Sequence, residues 1–346
     1  MALDELRLKK IMRNYSKTIM KFRVIGQTGI NVSEVGLGTW QLGGDWKRVD
    51  DKTARTILKE AVDQGVNFFD TADVYGRGLS ESRIGKFLKG CSEKVFVATK
   101  LGRFSDPGWP KNFSLTNFRG HTEASLKRLG TEALDLTQIH CLPTEFLKKG
   151  DLFEWLRILK KEGKIKNFGA SVESMEEAIY CLKQEGLASL QVIFNIFRQK
   201  PISTLLEQAK QKGVALLVRL PLASGLLSGK FRKKTKFSKN DHRYYNRDGR
   251  IFNVGETFAG IPFEKGIELV EELKAFIPVG MTMAQMALRW ILDFGAVTAV
   301  IPGATNSKQV TENVSASYLP PLSKDLHFKL KEFYDKKVAQ YIRGKY

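Results

Sequence analysis

The feature that most constrains this chain is a recurring beat of glycines. Gly65, Gly90, Gly130, Gly163, Gly186, Gly213 and Gly295 each follow an amphipathic helical pattern and precede an apolar run. Glycine tolerates the left-handed backbone that ends a helix, so the pattern predicts helix, cap and strand in repetition. The segment "DLFEWLRILKKEG" shows the helical part, with Leu152, Trp155, Leu156 and Leu159 on one face. The apolar runs are "SEVGLGTW", "VNFFDTA", "KVFVATK", "ALDLTQIH", "NFGAS", "LQVIFNI", "VALLVRLP" and "AVTAVIPG", eight in all. Their apolarity is continuous rather than alternating, as in strands covered on both faces. Eight such units predict an α/β fold, a (β/α)8 TIM barrel. The rival, a doubly wound sheet, opens with a GxGxxG turn leading into a helix, whereas "GLGTWQLGG" spreads its glycines with no helical pattern among them.

Three pieces fall outside the repeat. "FRVIGQTGINVS" reads as a β-hairpin turning at Gln27 to Gly29, expected to plug the N-terminal end of the barrel. "DLHFKLKEFYDKKVAQYI" reads as an extra C-terminal helix, and residues 1–19 as an N-terminal extension, either a short helix or a tail. That leaves 20–346 as a single barrel domain, with Met20 a second candidate start. One long connection, from Ala223 to Pro262, follows the seventh strand, and loops of that length in compact domains usually carry function or move.

Composition narrows the partners. The net charge of +19 would suit a nucleic acid, but Lys and Arg are dispersed and interleaved with Asp and Glu, so no nucleic-acid partner is expected. With no run of about 18 apolar residues there is no membrane span to expect. The start lacks a signal-peptide pattern, which predicts a cytoplasmic protein. Cys91, Cys141 and Cys181 form neither a CxxC pair nor a zinc pattern, so reduced thiols and no metal site are expected.

Barrel active sites are built at the C-terminal ends of the strands, so the polar residues that end the apolar runs carry the chemistry. Asp70 ends the second run with Tyr75 in the loop beyond it, Lys100 ends the third and His140 the fourth. Neighbouring strand ends lie side by side. A lysine ammonium beside Tyr75 is expected to stabilise its phenolate and lower its pKa, with Asp70 as counter-charge to Lys100 and His140 orienting a substrate oxygen. Such a group protonates or deprotonates a carbonyl or alcohol oxygen and needs a hydride partner. A Schiff-base lyase with Lys100 as nucleophile is a competing reading of the same residues.

The pieces "VSEVGLGTWQLGG", "FFDTADVYG", "VFVATKLG", "LDLTQIH", "GKIKNFGAS", "PLASGLLSGKF" and "IPGATNSKQVTENV" occur in this order, and through them the chain from Met20 onward resembles the aldo-keto reductase family. The likeness is to the branch that includes bacterial oxidoreductases and potassium-channel β subunits. It implies a barrel that binds NADPH in extended form without a Rossmann motif and reduces an aldehyde or ketone. The substrate is then a small-molecule carbonyl or alcohol, Tyr75 the general acid, and Asp70, Lys100 and His140 complete its tetrad. The alternative it carries is a cofactor-binding, redox-sensing module with incidental turnover. Oligomeric state is left open.

The cofactor positions implied by the resemblance are Thr39, Trp40 and Asp70 near the first strand ends, with Ser171 and Gln191 holding the nicotinamide carboxamide. Leu222, Ser224 and Lys230 match the pyrophosphate segment, and Gly303, Thr305, Gln309, Glu312 and Asn313 the adenosine end. Arg219 stands where the family usually places an aromatic on the nicotinamide; a guanidinium stacks too, but its charge disfavours the oxidised ring. Val172 stands where many members have Asn or Arg. Gly303 and Gln309 stand where many have Lys and Arg for the 2′-phosphate, so NADP is expected and NAD stays possible.

Other residues receive plainer expectations. Charges beyond Lys230 in "GKFRKKTKFSKNDHRYYNR" read as a solvated surface loop. Cys141, where relatives often have Trp, leaves the pocket roomier. His121, His242 and His327 read as isolated surface or helix residues, and Trp46 and Trp109 as pocket walls or packing.

Overall fold

A computed structural model describes residues 20–44, 49–106, 111–149 and 151–346. The extension 1–19, Trp46 and Trp109 lie outside the described residues. The chain enters through the expected hairpin, β1 (Phe22–Val24) and β2 (Asn31–Ser33), paired antiparallel. Eight parallel strands follow in sequence order: β3 (Leu37–Gly38), β4 (Phe68–Asp70), β5 (Phe96–Leu101), β6 (Leu136–His140), β7 (Phe168–Ser171), β8 (Leu187–Ile193), β9 (Ala215–Arg219) and β10 (Val297–Val300). The ring closes between its first and last members. Gly36 N–H donates to Val300 O at 2.8 Å, and Gly38 N–H to Pro302 O at 3.0 Å. A Cβ on Gly38 would sit 2.6 Å from Ile301 O, so the seam requires glycine.

Alternation along each strand splits the core into two. Phe68, Phe96, Ala98, Leu136, Leu217 and Ala299 point into the barrel, where Ile25 and Val32 of the hairpin join them as the plug. Phe69, Val97, Ile139, Leu190 and Leu216 point outward, into the larger core shared with the helices. Those helices are α1 (Asp51–Asp63), α2 (Leu79–Leu88), α3 (Leu115–Leu129), α4 (Asp151–Lys161), α5 (Met175–Cys181), α6 (Leu206–Gln211), α7 (Phe263–Leu273), α8 (Met283–Leu292) and α9 (Ser307–Val314), with α10 (Lys324–Phe333) the extra C-terminal one. On α4, Leu152, Leu156 and Leu159 are buried and Trp155 packs at their edge. Local signals start the helices: Ser174 with Glu177, and Thr282 with Gln285, form complete capping boxes.

Several expectations shift. Five of the seven glycines adopt the left-handed cap, but Gly90 and Gly295 do not; Gly90 continues an ordinary turn, its N–H on Phe87 O. Strand β8 begins and ends three residues earlier than its apolar run, because Asn195 and Arg198 close a tight turn on each other's backbone. The long connection is not an open loop. It folds into short turns at Ala223–Ser228, His242–Tyr245, Val254–Glu256 and Phe258–Gly260. Phe231, Phe237, Phe258 and Phe263 cluster beneath it, and Arg243 lies over Phe237 while pairing with Asp241 at 2.6 Å. A solvated loop describes Lys233 but not Arg243, whose charge is matched and whose stem packs on aromatics. His242 and His327 both hold helical positions as one reading allowed, but neither is an isolated surface residue: His242 is fully buried and His327 is bonded to Asp293 at 2.9 Å. Among the described residues no helix is long and apolar enough to cross a membrane.

Candidate active site

The strand pairing brings the polar ends together, Asp70 opposite Ala98, Lys100 opposite Gln138 and His140 opposite Ser171. Lys100 Nζ donates to Asp70 Oδ1 at 2.5 Å, to Thr71 O at 2.8 Å and to Tyr75 Oη at 3.4 Å. The other oxygen of Asp70 accepts from Gln191 at 2.7 Å and Gln138 at 3.3 Å. Tyr75 meets the His140 ring edge-on, centroids 5.9 Å apart. The loop that aims Tyr75 passes so close to its neighbour that a Cβ on Gly76 would sit 2.2 Å from Gly43 O, and Gly76 has a φ of 58°.

Burial sets the electrostatics. It would by itself push Lys100 down, but Asp70 and Tyr75 outweigh it and hold the ammonium above its ordinary value. Lys100 is therefore held as a charged ammonium, engaged with three acceptors and set beneath the cleft, an arrangement that disfavours a Schiff-base nucleophile. Burial also pushes the Tyr75 phenol up, and the opposing pull of Lys100 does not overcome it. This reverses the expected direction. The reason is burial first, with Asp70 offsetting part of the ammonium's field at the phenol. His140 is driven well below the usual histidine value by burial, then by Arg103, Lys100 and Arg219, so its imidazole is neutral. Its Nδ1 is buried without a partner among the described residues, leaving Nε2 toward the cleft.

A cleft of about 1010 Å³ lies over these strand ends. Asp70, Tyr75 and His140 line it, as do Thr39, Trp40, Gln191, Arg219, Leu222, Ser224, Lys230, Gly303, Thr305, Gln309, Glu312 and Asn313. Two of the residues named from sequence do not. Lys100 lies below, and Ser171 is buried with its hydroxyl between Gln191 Oε1 (3.5 Å) and Cys141 Sγ (3.3 Å). Others face the cleft with their hydroxyls engaged: Thr39 donates to Asp70 O at 2.9 Å, and Ser224 to Glu256 O at 3.0 Å. Trp40 stacks 5.8 Å from Tyr75. At the far end Lys230 reaches Glu312 at 3.4 Å, Asn313 donates to Gly303 O, and Gln309 accepts from Thr305.

Some site residues had not been singled out. Gln138 supports Asp70 from two positions before His140 on the same strand face, a period-two signal that was available. Arg103, Glu173, Asn253 and Glu256 also line the cleft, brought there by separate loops that no local pattern connects. Ligand atoms of Cys141, Glu173 and Glu256 lie within 4.8 Å of one another, a spacing a metal ion could use. Guanidinium groups occupy that place instead: Arg103 bonds both carboxylates and Arg219 reaches Cys141 Sγ at 3.3 Å. Burial raises the Cys141 thiol, which suits a packing role.

The fold and family are shared with known proteins. The profile of the aldo/keto reductase family matches residues 34–335. The aldo-keto reductase YhdN of Bacillus subtilis is 32% identical over 84% of this chain and 87% of its own. The NADH-specific methylglyoxal reductase of Escherichia coli is 30% identical over 86% of this chain and 93% of its own. An aldo-keto reductase from Bacillus halodurans, solved in its holo form, superposes with a TM-score of 0.74 at 27% identity, covering 91% of this chain and 96% of that one.

Proposed function

The chain belongs to the aldo/keto reductase family, an oxidoreductase family acting on carbonyl compounds, and we propose that it reduces an aldehyde or ketone in the cytoplasm with Tyr75 as the proton donor. The observation that carries this reading is the placement of Lys100, whose Nζ touches both Asp70 and Tyr75 at the floor of the cleft. A phenol above its ordinary pKa keeps its proton at neutral pH, yet is still far more acidic than the alcohol it would make. As the proton leaves, the Lys100 ammonium stabilises the phenolate across a contact that already exists. Asp70 keeps that ammonium charged and in place. His140, neutral and held against the Tyr75 ring, offers Nε2 to the carbonyl oxygen and fixes its direction toward Tyr75 Oη.

The residues present fit a nicotinamide coenzyme. The cleft lies at the top of the range for small-ligand sites, room for a dinucleotide beside a small substrate. At the adenosine end Gly303 leaves room for the Gln41 side chain, whose Oε1 is buried without a partner among the described residues and is an acceptor available to that end of the cleft. Gln191 would face the carboxamide, Ser224 and Lys230 the pyrophosphate, and Gln309 and Asn313 the adenosine end. The chemistry such a coenzyme supplies is a hydride equivalent. We assign NADPH first and NADH second, the latter because the E. coli relative is NADH-specific.

Tyr75→Phe tests the assignment. Carbonyl-dependent oxidation of NADPH and NADH should fall below about one-thousandth of the wild-type rate, while quenching on coenzyme titration is retained. A variant that turns over near normally removes Tyr75 as the acid.

A further inference from the structure

Above Tyr75 and His140, one side of the cleft is made of ions that no step described so far uses. Arg103, on the loop after β5, directs Nη2 to Glu173 Oε1 at 3.0 Å and to Glu256 Oε1 at 3.1 Å. Arg219, at the end of β9, meets the same Glu256 oxygen at 3.5 Å. Asn253 donates to the other oxygen of Glu173 at 3.1 Å. All five residues line the cleft that Tyr75 and His140 line. The group sits against the reacting end, since Arg103 and Arg219 are felt by His140 and Glu256 by Tyr75.

We propose that this wall, centred on Arg103 and Glu256, selects uncharged carbonyl compounds that carry a hydroxyl group beside the carbonyl. The inference rests on the reductase reading above and names its substrate class. Two guanidinium groups face two carboxyl groups, so no unopposed cation awaits an anion, and a substrate carboxylate would meet Glu173 and Glu256 in the same wall. A purely apolar aldehyde would strip water from these ions and return nothing. A hydroxyl both accepts and donates. Arg103 commits only Nη2, and its Nε and Nη1 have no partner among the described residues, so donors remain beside carboxylate acceptors. The Arg103 side chain is 24% exposed and lines the cleft, so it can be reached from there. A site built to hydrogen-bond a hydroxyl discriminates strongly against the analogue lacking it, because the wall's groups are then left unpaired.

The test is a matched set of three-carbon carbonyls, glyceraldehyde against propanal, hydroxyacetone against acetone, and pyruvate as the anion, with concentrations expressed as free carbonyl. Wild type should favour each hydroxylated member by about 10- to 100-fold in kcat/KM, the worth of one charge-assisted hydrogen bond. In Glu256→Gln and Arg103→Met the ratio should fall at least about tenfold, mainly through KM. Equal kcat/KM within the wild-type pairs, a preference for pyruvate, or a variant that lowers both members alike would overturn the proposal. If no carbonyl is reduced with either coenzyme, the reductase reading fails by itself, and the wall is judged by titrating Trp40 fluorescence with glycerol and with 1-propanol. Saturation by glycerol alone, lost in Glu256→Gln, supports the wall; identical responses to the two alcohols refute it.

Discussion

Asp73 sits between two members of the tetrad in sequence, and its N–H donates to Lys100 O at 3.1 Å, but its carboxyl group has no part in their side-chain contacts. It is fully buried, and neither carboxylate oxygen has a partner among the described residues. The charged groups that face it are Glu81 from α2, Arg128 from α3 and Lys100 from β5. Arg128 is already paired with Glu81 at 2.7 Å, so it cannot serve both acids. Burial, reinforced by Glu81, raises Asp73 from 3.8 to about 8. The native state therefore holds this proton at neutral pH while the unfolded chain releases it. The stability linked to Asp73 is complete below about pH 4, declines as pH rises toward 8, and is level above that. At about 1.4 kcal/mol per pH unit, the loss reaches about 4 kcal/mol by pH 7. Asp73→Asn keeps the shape and removes the titration. Urea unfolding of both proteins at pH 5, 6, 7, 8 and 9 should show the variant gaining on wild type by about 1.4 kcal/mol per unit up to pH 8 and then no further. A stability difference that stays constant with pH would refute the argument, and one that runs the other way would mean Asp73 is ionised and paired.

Two other outcomes follow from buried groups and close packing. Burial lowers His242 to about 3, so stability should be lost as pH falls from about 6.5, and His242→Gln should gain on wild type by about 1.4 kcal/mol per unit between pH 6 and 4 in the same unfolding assay. No such gain would mean the imidazole is already charged in the fold. Gly38→Ala places a methyl group 2.6 Å from Ile301 O at the barrel seam, and a loss of about 1–3 kcal/mol is expected, read as a lowered thermal midpoint; an unchanged midpoint would show that the seam yields.

Much of the fold could be read from local patterns. Apolar runs such as "KVFVATK" and helices such as α4 announce themselves because periodicity depends only on near neighbours in the chain. The strand-end positions of Asp70, Lys100 and His140 were equally visible, since a polar residue that closes an apolar run stands out. Where the reading slipped, tertiary packing had overridden the local signal. His242 reads from sequence as a surface or helix residue, and only the fold buries it, with the Trp40 ring 4.7 Å away.

The sequence by itself determined the eight-unit barrel, its hairpin plug and which residues stand at the strand ends, because each is written in spacing along one segment. Only the tertiary structure decided what charge those residues carry and what surrounds them. The upward shift of Tyr75, the neutrality of His140 and the wall of Arg103, Glu173, Arg219 and Glu256 arise from burial and from groups on separate strands and loops acting across a few ångströms. Coulomb forces and desolvation depend on distance through space and on the water excluded between groups, and neither is encoded in separation along the chain.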